Sequence, residues 1–211
     1  MLAVIPARGG SKGVKNKNIQ KLNNKPLLFW SIERALESEK ISQIIVSSDS
    51  ERILDIVHKT YDSRVQLHKR NDNLSQDNSK TIDLLQQLSL IKKSFQKIIL
   101  LQPTSPLRKK NFIDKVISYH EKSKKQLTLS GFFSSSYPFG QYNNLPRQEL
   151  EEKFYDDGSI YVFERELLVK GIWIPEQWNQ YLNEFPYTLE IDTYNELELF
   201  NNIFDNYYNK V

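Results

Sequence analysis

The sequence predicts an α/β domain with a mostly parallel central sheet and helices layered on both faces. Three observations predict it. Short apolar runs alternate along the chain with segments whose apolar residues recur at helical spacing. Residues 97–102 are apolar on both faces, the pattern of a central parallel strand. The segments that follow the strands are polar or charged, and in such sheets the ligand lies beyond the carboxyl ends of the strands.

Each element has its own reason. Residues 2–6 read as a short buried strand stopped by Pro6. A glycine-rich basic loop follows. Pro26 starts a helix at a position where proline is tolerated, with Leu28, Ile32 and Ala35 on one face. Residues 43–47 form a second apolar strand, ending in Ser48, Asp49 and Ser50. A helix over 51–59 turns Ile53, Leu54 and Val57 inward, a short strand spans 65–68, and a helix over 81–90 carries Ile82, Leu85 and Leu88. Pro103 and Pro106 end the central strand, and a helix over 111–119 and a strand over 127–130 come next. Residues 134–148 are loop-like. Strands follow at 159–163 and 187–191, and Thr193 with Glu196 forms a capping box that opens a closing helix to 207.

The 211 residues suit one domain, 1–211, since no linker, low-complexity tract or repeat divides them. With 39% hydrophobic and 12% aromatic residues the chain can build a core. Its longest apolar runs are far too short to span a bilayer, and the start lacks the pattern of a signal peptide, so no membrane partner is expected and a cytoplasmic location is. The absence of cysteine removes disulfides, thiolate nucleophiles and thiolate metal sites, and fits a reducing compartment. A net charge of +3 does not argue for nucleic acid. The local distribution is more informative: the first 25 residues carry six Lys or Arg and no acid.

Those cations surround Gly9, Gly10 and Gly13, three of the seven glycines in the chain. The loop fits neither GxGxxG nor the P-loop pattern. Its parts nevertheless suit a polyphosphate: glycines let backbone N–H groups form an anion nest, Arg8 offers a planar fork, and lysines add movable charge. As a free-standing segment it reads first as a flexible basic turn; its place straight after the first strand reverses that ranking in favour of the anion. Glu190-Ile191-Asp192 is the acidic counterpart. On a strand, both carboxylates leave one face and could hold a hard cation such as Mg²⁺; the alternative is a surface acid and a residue preceding a helix. Gln102 and Thr104, in QPTSPLR, suit a hydroxyl-rich ligand, or form a polar loop stiffened by two prolines. His58, His68 and His120 lack metal-ligand spacing, no Gly-x-Ser-x-Gly elbow exists, and no aromatic–basic interleaving suggests a base-stacking platform. Metal-assisted phosphoryl or nucleotidyl transfer fits what is left, with base and acceptor open.

IPARGGSKG with KN, LQPTSPLR, PRQEL, DGSIYV and EIDT followed by EL together resemble the acylneuraminate cytidylyltransferases, or CMP-sialic acid synthetases, with their relatives for legionaminic and pseudaminic acids. The resemblance runs from Leu2 to about Phe200. It implies a three-layer, Rossmann-like nucleotide-diphospho-sugar transferase fold. It also implies a reaction in which the anomeric hydroxyl of a 2-keto-3-deoxy acid sugar attacks the α-phosphate of CTP, releasing pyrophosphate. It implies that Arg8, Lys12, Lys17 and Asn18, with Gly9, Gly10 and Ser11, grip the nucleotide, while Arg70 and Thr81 read the cytosine. By the same resemblance Arg8, Lys12, Lys17 and Asp192 are catalytic, Gln102, Thr104, Arg147, Asp157 and Tyr161 meet the sugar, and Glu190 and Asp192 bind Mg²⁺. Three positions depart from the family pattern. Glu190 stands for the usual aspartate. Asp157 stands for asparagine, which suggests an amino or hydroxyl group on an atypical sugar. The stretch 131–149 is shorter than the family's dimerisation insert, which bears on the homodimer the resemblance implies. Trp173 is a candidate for the acylamino pocket or for the core. An eight-carbon acid of the 3-deoxy-manno-octulosonate type and a catalytically silent binding protein are the alternative readings.

Overall fold

The structure, a computed structural model, describes residues 1–11, 13–71, 74, 79–136 and 146–208. β1 (Leu2–Pro6) is buried on both sides: Ala3 and Ile5 enter one apolar cluster, Leu2 and Val4 the other. A small hairpin of β2 (Lys21–Leu22) and β3 (Lys25–Pro26) follows, and α1 (Leu27–Glu37) returns the chain so that β4 (Gln43–Ser48) pairs parallel with β1. α2 (Glu51–Thr60) leads in the same way to β5 (Val65–Lys69), parallel to β4. Next, α3 (Thr81–Ile91) crosses the opposite face and delivers β6 (Lys97–Leu101) to the free side of β1.

α4 (Phe112–Lys122) precedes β7 (Leu127–Ser134) and β8 (Lys153–Glu164). β8 runs antiparallel to both β6 and β7, and after α5 (Arg165–Val169) the edge strand β9 (Asn179–Leu182) lies parallel to β7. The sheet order is β5-β4-β1-β6-β8-β7-β9. α1, α2 and α4 pack on one face, and α3 and α5 on the other. The closing helix α6 (Tyr194–Tyr208) forms a third apolar cluster with Trp30, Leu107 and Ile191. This is the mostly parallel three-layer sandwich expected, and the chain reverses its direction of travel across the sheet between β1 and β6. A parallel sheet opens a crevice at such a switch point.

The sequence expectations fail in instructive places. Residues 187–191 are not a strand. The chain from 184 to 189 folds as turns, with Tyr187 N donating to Glu184 O at 2.8 Å and Leu189 N to Pro186 O at 3.2 Å. The apolar side chains of that segment are buried against α6 instead of a sheet. β6 is parallel only to β1, because its other neighbour is β8. β7 and β8 run further than expected, pairing Gly131 to Ser134 with Asp156 to Lys153 beyond a register shift. Residues 137–145, nine of the nineteen in the stretch 131–149, lie outside the described residues.

Candidate active site

A cleft of about 640 Å³ opens at the carboxyl ends of β1 and β6, within the size range of small-ligand sites. Arg8, Ser11, Gly13, Lys17 and Asn18 line it from the first loop, and Gln102, Pro103 and Thr104 line it from the segment after β6. Arg70, Leu74 and residues 79–81 close one side, and Glu190 and Asp192 the other.

The glycine loop is folded back and held. Gly9 N donates to Asp49 Oδ1 at 2.8 Å, and Asn18 Nδ2 donates to Arg8 O at 2.8 Å. Lys17 begins a one-turn helix, and its Nζ donates to Ile191 O at 3.0 Å and to Asp192 Oδ1 at 2.7 Å. Asp192 is 63% exposed, so this ion pair contributes less than about 1 kcal/mol of stability, and its main effect is to fix position. The two segments approach closely: a Cβ built on Gly13 would lie 2.1 Å from Asp192 O. Only glycine allows that approach.

Glu190 and Asp192 both reach the cleft although neither is on a strand. Ile191 is fully buried in the cluster with α6, and its N–H donates to Thr104 O at 2.8 Å, so the acids on either side of it turn outward. Glu190 accepts a hydrogen bond from Ser105 Oγ at 3.3 Å. Burial, then the nearby charge of Asp192, push its carboxyl up to about 7.

A fully buried arginine holds this wall together. Arg108 Nη1 donates to Ser31 Oγ at 2.9 Å, while Nη2 donates to Gln102 O at 2.7 Å and to Ser159 O at 2.8 Å. Burial lowers its pKa to about 10. Arg108 therefore ties α1, the loop after β6 and β8 to one another, and it fixes the backbone of Gln102. On the opposite side Arg70 donates from Nε to Ser47 Oγ and from Nη2 to Ser47 O, each at 3.0 Å. Burial lowers the Arg70 pKa, opposed by Asp49.

The structure thus gathers Arg8, Ser11, Lys17, Asn18, Arg70, Thr81, Gln102, Thr104, Glu190 and Asp192 around one cleft. Gly9 and Gly10 belong to the same loop. Other candidates stand elsewhere. Asp157 is only 2% exposed, and its carboxylate accepts from Ser130 Oγ at 2.6 Å, Ser159 N at 3.0 Å and Asn183 Nδ2 at 2.6 Å. Those bonds supply the pairing that an aspartate in place of asparagine requires, and they are internal. The ring of Tyr161 is buried against Trp173, with centroids 5.3 Å apart, and its hydroxyl donates to Asp156 Oδ1 at 2.9 Å. Trp173 packs against the core cluster under α3 and α5. Lys12 lies outside the described residues, as does the side chain of Arg147, whose backbone starts a short helical turn, Arg147–Glu149. Sequence reasoning missed Asp49, Ser105 and Arg108. Asp49 and Ser105 sit directly after strands, which was the available signal.

The chain matches a family model described as Cytidylyltransferase over residues 2–203. It is 34% identical over 166 residues to the N-acylneuraminate cytidylyltransferase of Escherichia coli O18:K1:H7, covering 76% of this chain and 39% of that protein. It is 28% identical over 210 residues to the enzyme of the same name from Streptococcus agalactiae serotype V, covering 91% and 50%. The chain thus spans half or less of the length of these two relatives. With the CMP-N,N'-diacetyllegionaminic acid synthase of Legionella pneumophila it shares 32% identity over 213 residues, covering 92% of this chain and 91% of that protein. A solved CMP:2-keto-3-deoxy-manno-octonic acid synthetase complexed with CTP superposes with a TM-score of 0.76 at 17% identity, covering 97% of this chain and 98% of that one. At that identity the likeness establishes the fold.

Proposed function

The chain belongs to the cytidylyltransferase family, and on that premise we propose that it transfers CMP from CTP to the anomeric hydroxyl of a nine-carbon 2-keto-3-deoxy acid sugar. The carrying observation is the single cleft that faces Arg8, Lys17 and Arg70 toward Glu190 and Asp192 across the ends of β1 and β6. The relatives from Escherichia coli, Streptococcus agalactiae and Legionella pneumophila favour the nine-carbon class. The eight-carbon synthetase supports only the fold.

In this reading the glycine loop turns N–H groups to the triphosphate, and Arg8 pairs with phosphate oxygens through its planar fork. Arg70 and Thr81 face the base, and Gln102 and Thr104 meet the sugar. The sugar's anomeric oxygen bonds to the α-phosphorus, the bond from that phosphorus to the bridging oxygen of the β-phosphate breaks, and pyrophosphate leaves with those electrons. The anomeric hydroxyl gives up its proton to water. The protein's contribution is mainly alignment and charge neutralisation.

Mg²⁺ belongs to the proposal, and the donor set fits it. Two carboxylates reach the cleft, and the burial and, after it, the charge of Asp192 that raise Glu190 would both be offset by a cation. Mg²⁺ takes one or two protein carboxylates and completes its shell with water and phosphate oxygens. Glu190 and Asp192 would hold it, and when bound it supplies charge neutralisation on the phosphates. The extra methylene of Glu190 is accommodated against Gly158, where a Cβ would lie 1.4 Å from Glu190 Oε1. The reading extends to a cytoplasmic location, and to a homodimer that sedimentation would detect.

The test is pyrophosphate release from CTP and Mg²⁺ with a panel of acid sugars. Release with nine-carbon acids supports the proposal. Release with the eight-carbon acid alone would transfer it to that class, and release with none would leave a binding protein.

A further inference from the structure

Behind Arg70 lies a hydrogen-bond chain that the proposed reaction does not use. Ser47, at the end of β4, is fully buried, and its Oγ lies 2.9 Å from His68 Nδ1 on β5 and 3.0 Å from Arg70 Nε. The guanidinium can only donate, so Ser47 Oγ accepts from it. The hydroxyl uses all its bonding capacity when Ser47 gives its own proton to His68 Nδ1, which then carries the lone pair, with the imidazole proton on Nε2. A protonated ring would bring a second donor to Ser47 Oγ. The serine proton would lose its acceptor where no water reaches, and an imidazolium would face a guanidinium across one oxygen. Both changes are unfavourable in a buried setting.

We propose that His68 is a pH-sensitive positioning residue, whose neutral ring holds Ser47 so that Ser47 holds Arg70 against the nucleotide. The inference rests on the reading of the cleft as the CTP site. The surrounding charges agree with a neutral ring. Burial, then Arg70, then Lys92 at the end of α3 hold the His68 pKa below its ordinary value. Lys69, the next residue on β5, is engaged by Glu51 of α2. Arg8 and Asp49 act on Arg70 with opposite signs. No carboxylate is among the groups that shift His68.

The experiment is calorimetric titration of CTP in the presence of Mg²⁺ from pH 8 to 5.5, with the wild type, His68→Asn and His68→Leu, each checked for folding by circular dichroism. Titration of the nucleotide itself affects all three alike. Asparagine can keep an acceptor near Ser47 without taking a proton, so the wild type should lose about three- to fivefold more affinity than H68N across the range, the part of a one-unit shift that is expressed by pH 5.5 for a histidine held below its ordinary value. H68L should bind more weakly than H68N at pH 8. Binding with parallel pH profiles in the wild type and H68N overturns the inference alone. No CTP binding by any form at any pH overturns the nucleotide reading and the inference with it. A readout without nucleotide completes the test. The chain has three histidines, so the His68 ring can be followed by NMR, and its pKa should rise in Ser47→Ala. An unmoved titration there overturns the chain of contacts.

Discussion

Substituting Gly13 by alanine tests whether the basic loop and the acidic segment must touch. The added methyl would lie 2.1 Å from the backbone oxygen of Asp192, over 1 Å inside ordinary contact, and the obstacle is backbone, so it cannot swing aside. The acidic segment would have to back away from the loop. That would break the two bonds from Lys17 to Ile191 O and Asp192 Oδ1 and misplace both carboxylates relative to Arg8. Overpacking of this kind costs about 1–3 kcal/mol of stability. A shift of about 1 Å between the halves of a catalytic site can lower activity about a hundredfold. Denaturant unfolding gives the first quantity, and kcat/KM for pyrophosphate release gives the second. Gly10→Ala is the stability control: its methyl would meet nothing within 4 Å, so its unfolding free energy should stay within about 0.5 kcal/mol of wild type. A Gly13→Ala protein with kcat/KM within about twofold of wild type would refute the reasoning.

Three other outcomes follow from the same contacts. Arg108→Met should cost about 3 kcal/mol in chemical unfolding, because the carbonyls of Gln102 and Ser159 and the hydroxyl of Ser31 lose a buried donor. Gly158→Ala forces a side chain onto a backbone at φ +63° and into Glu190 Oε1, so it should raise the Mg²⁺ concentration for half-maximal activity and destabilise by about 1–3 kcal/mol. His120 is buried between Thr128 Oγ1 at 2.8 Å and Glu164 Oε1 at 3.2 Å, and burial lowers its pKa from the ordinary 6.5. The unfolded chain therefore takes up this proton first as pH falls. The stabilisation is complete above about 6.5 and is lost as pH drops below it, so His120→Gln should flatten the wild-type decline between pH 7.5 and 5.5.

Much of the site was legible because its logic is local. Glycines beside cations, placed after a strand, need no tertiary information to suggest an anion cradle. The alternation Glu190-Ile191-Asp192 also turned both acids to one side, although the element supporting it is not a strand. There the apolar pattern of Tyr187, Leu189 and Ile191 was real, but it is satisfied by packing on α6. Arg108 was not legible. In the string LQPTSPLR it reads as a loop cation, and only the convergence of Gln102, Ser159 and Ser31 from three elements makes its burial possible. Asp157 looked like a group in need of a ligand because Ser130 and Asn183, which satisfy it, are distant in sequence.

The central claim is that this cleft joins the α-phosphorus of CTP to the anomeric oxygen of an acid sugar. The most direct measurement uses CTP labelled at the α-phosphorus, with Mg²⁺ and a nine-carbon 2-keto-3-deoxy acid, and follows the label. The account predicts that it appears in a CMP-sugar phosphodiester, in amounts equal to the pyrophosphate released. Label that stays in CTP, or that moves only into free CMP, would contradict it.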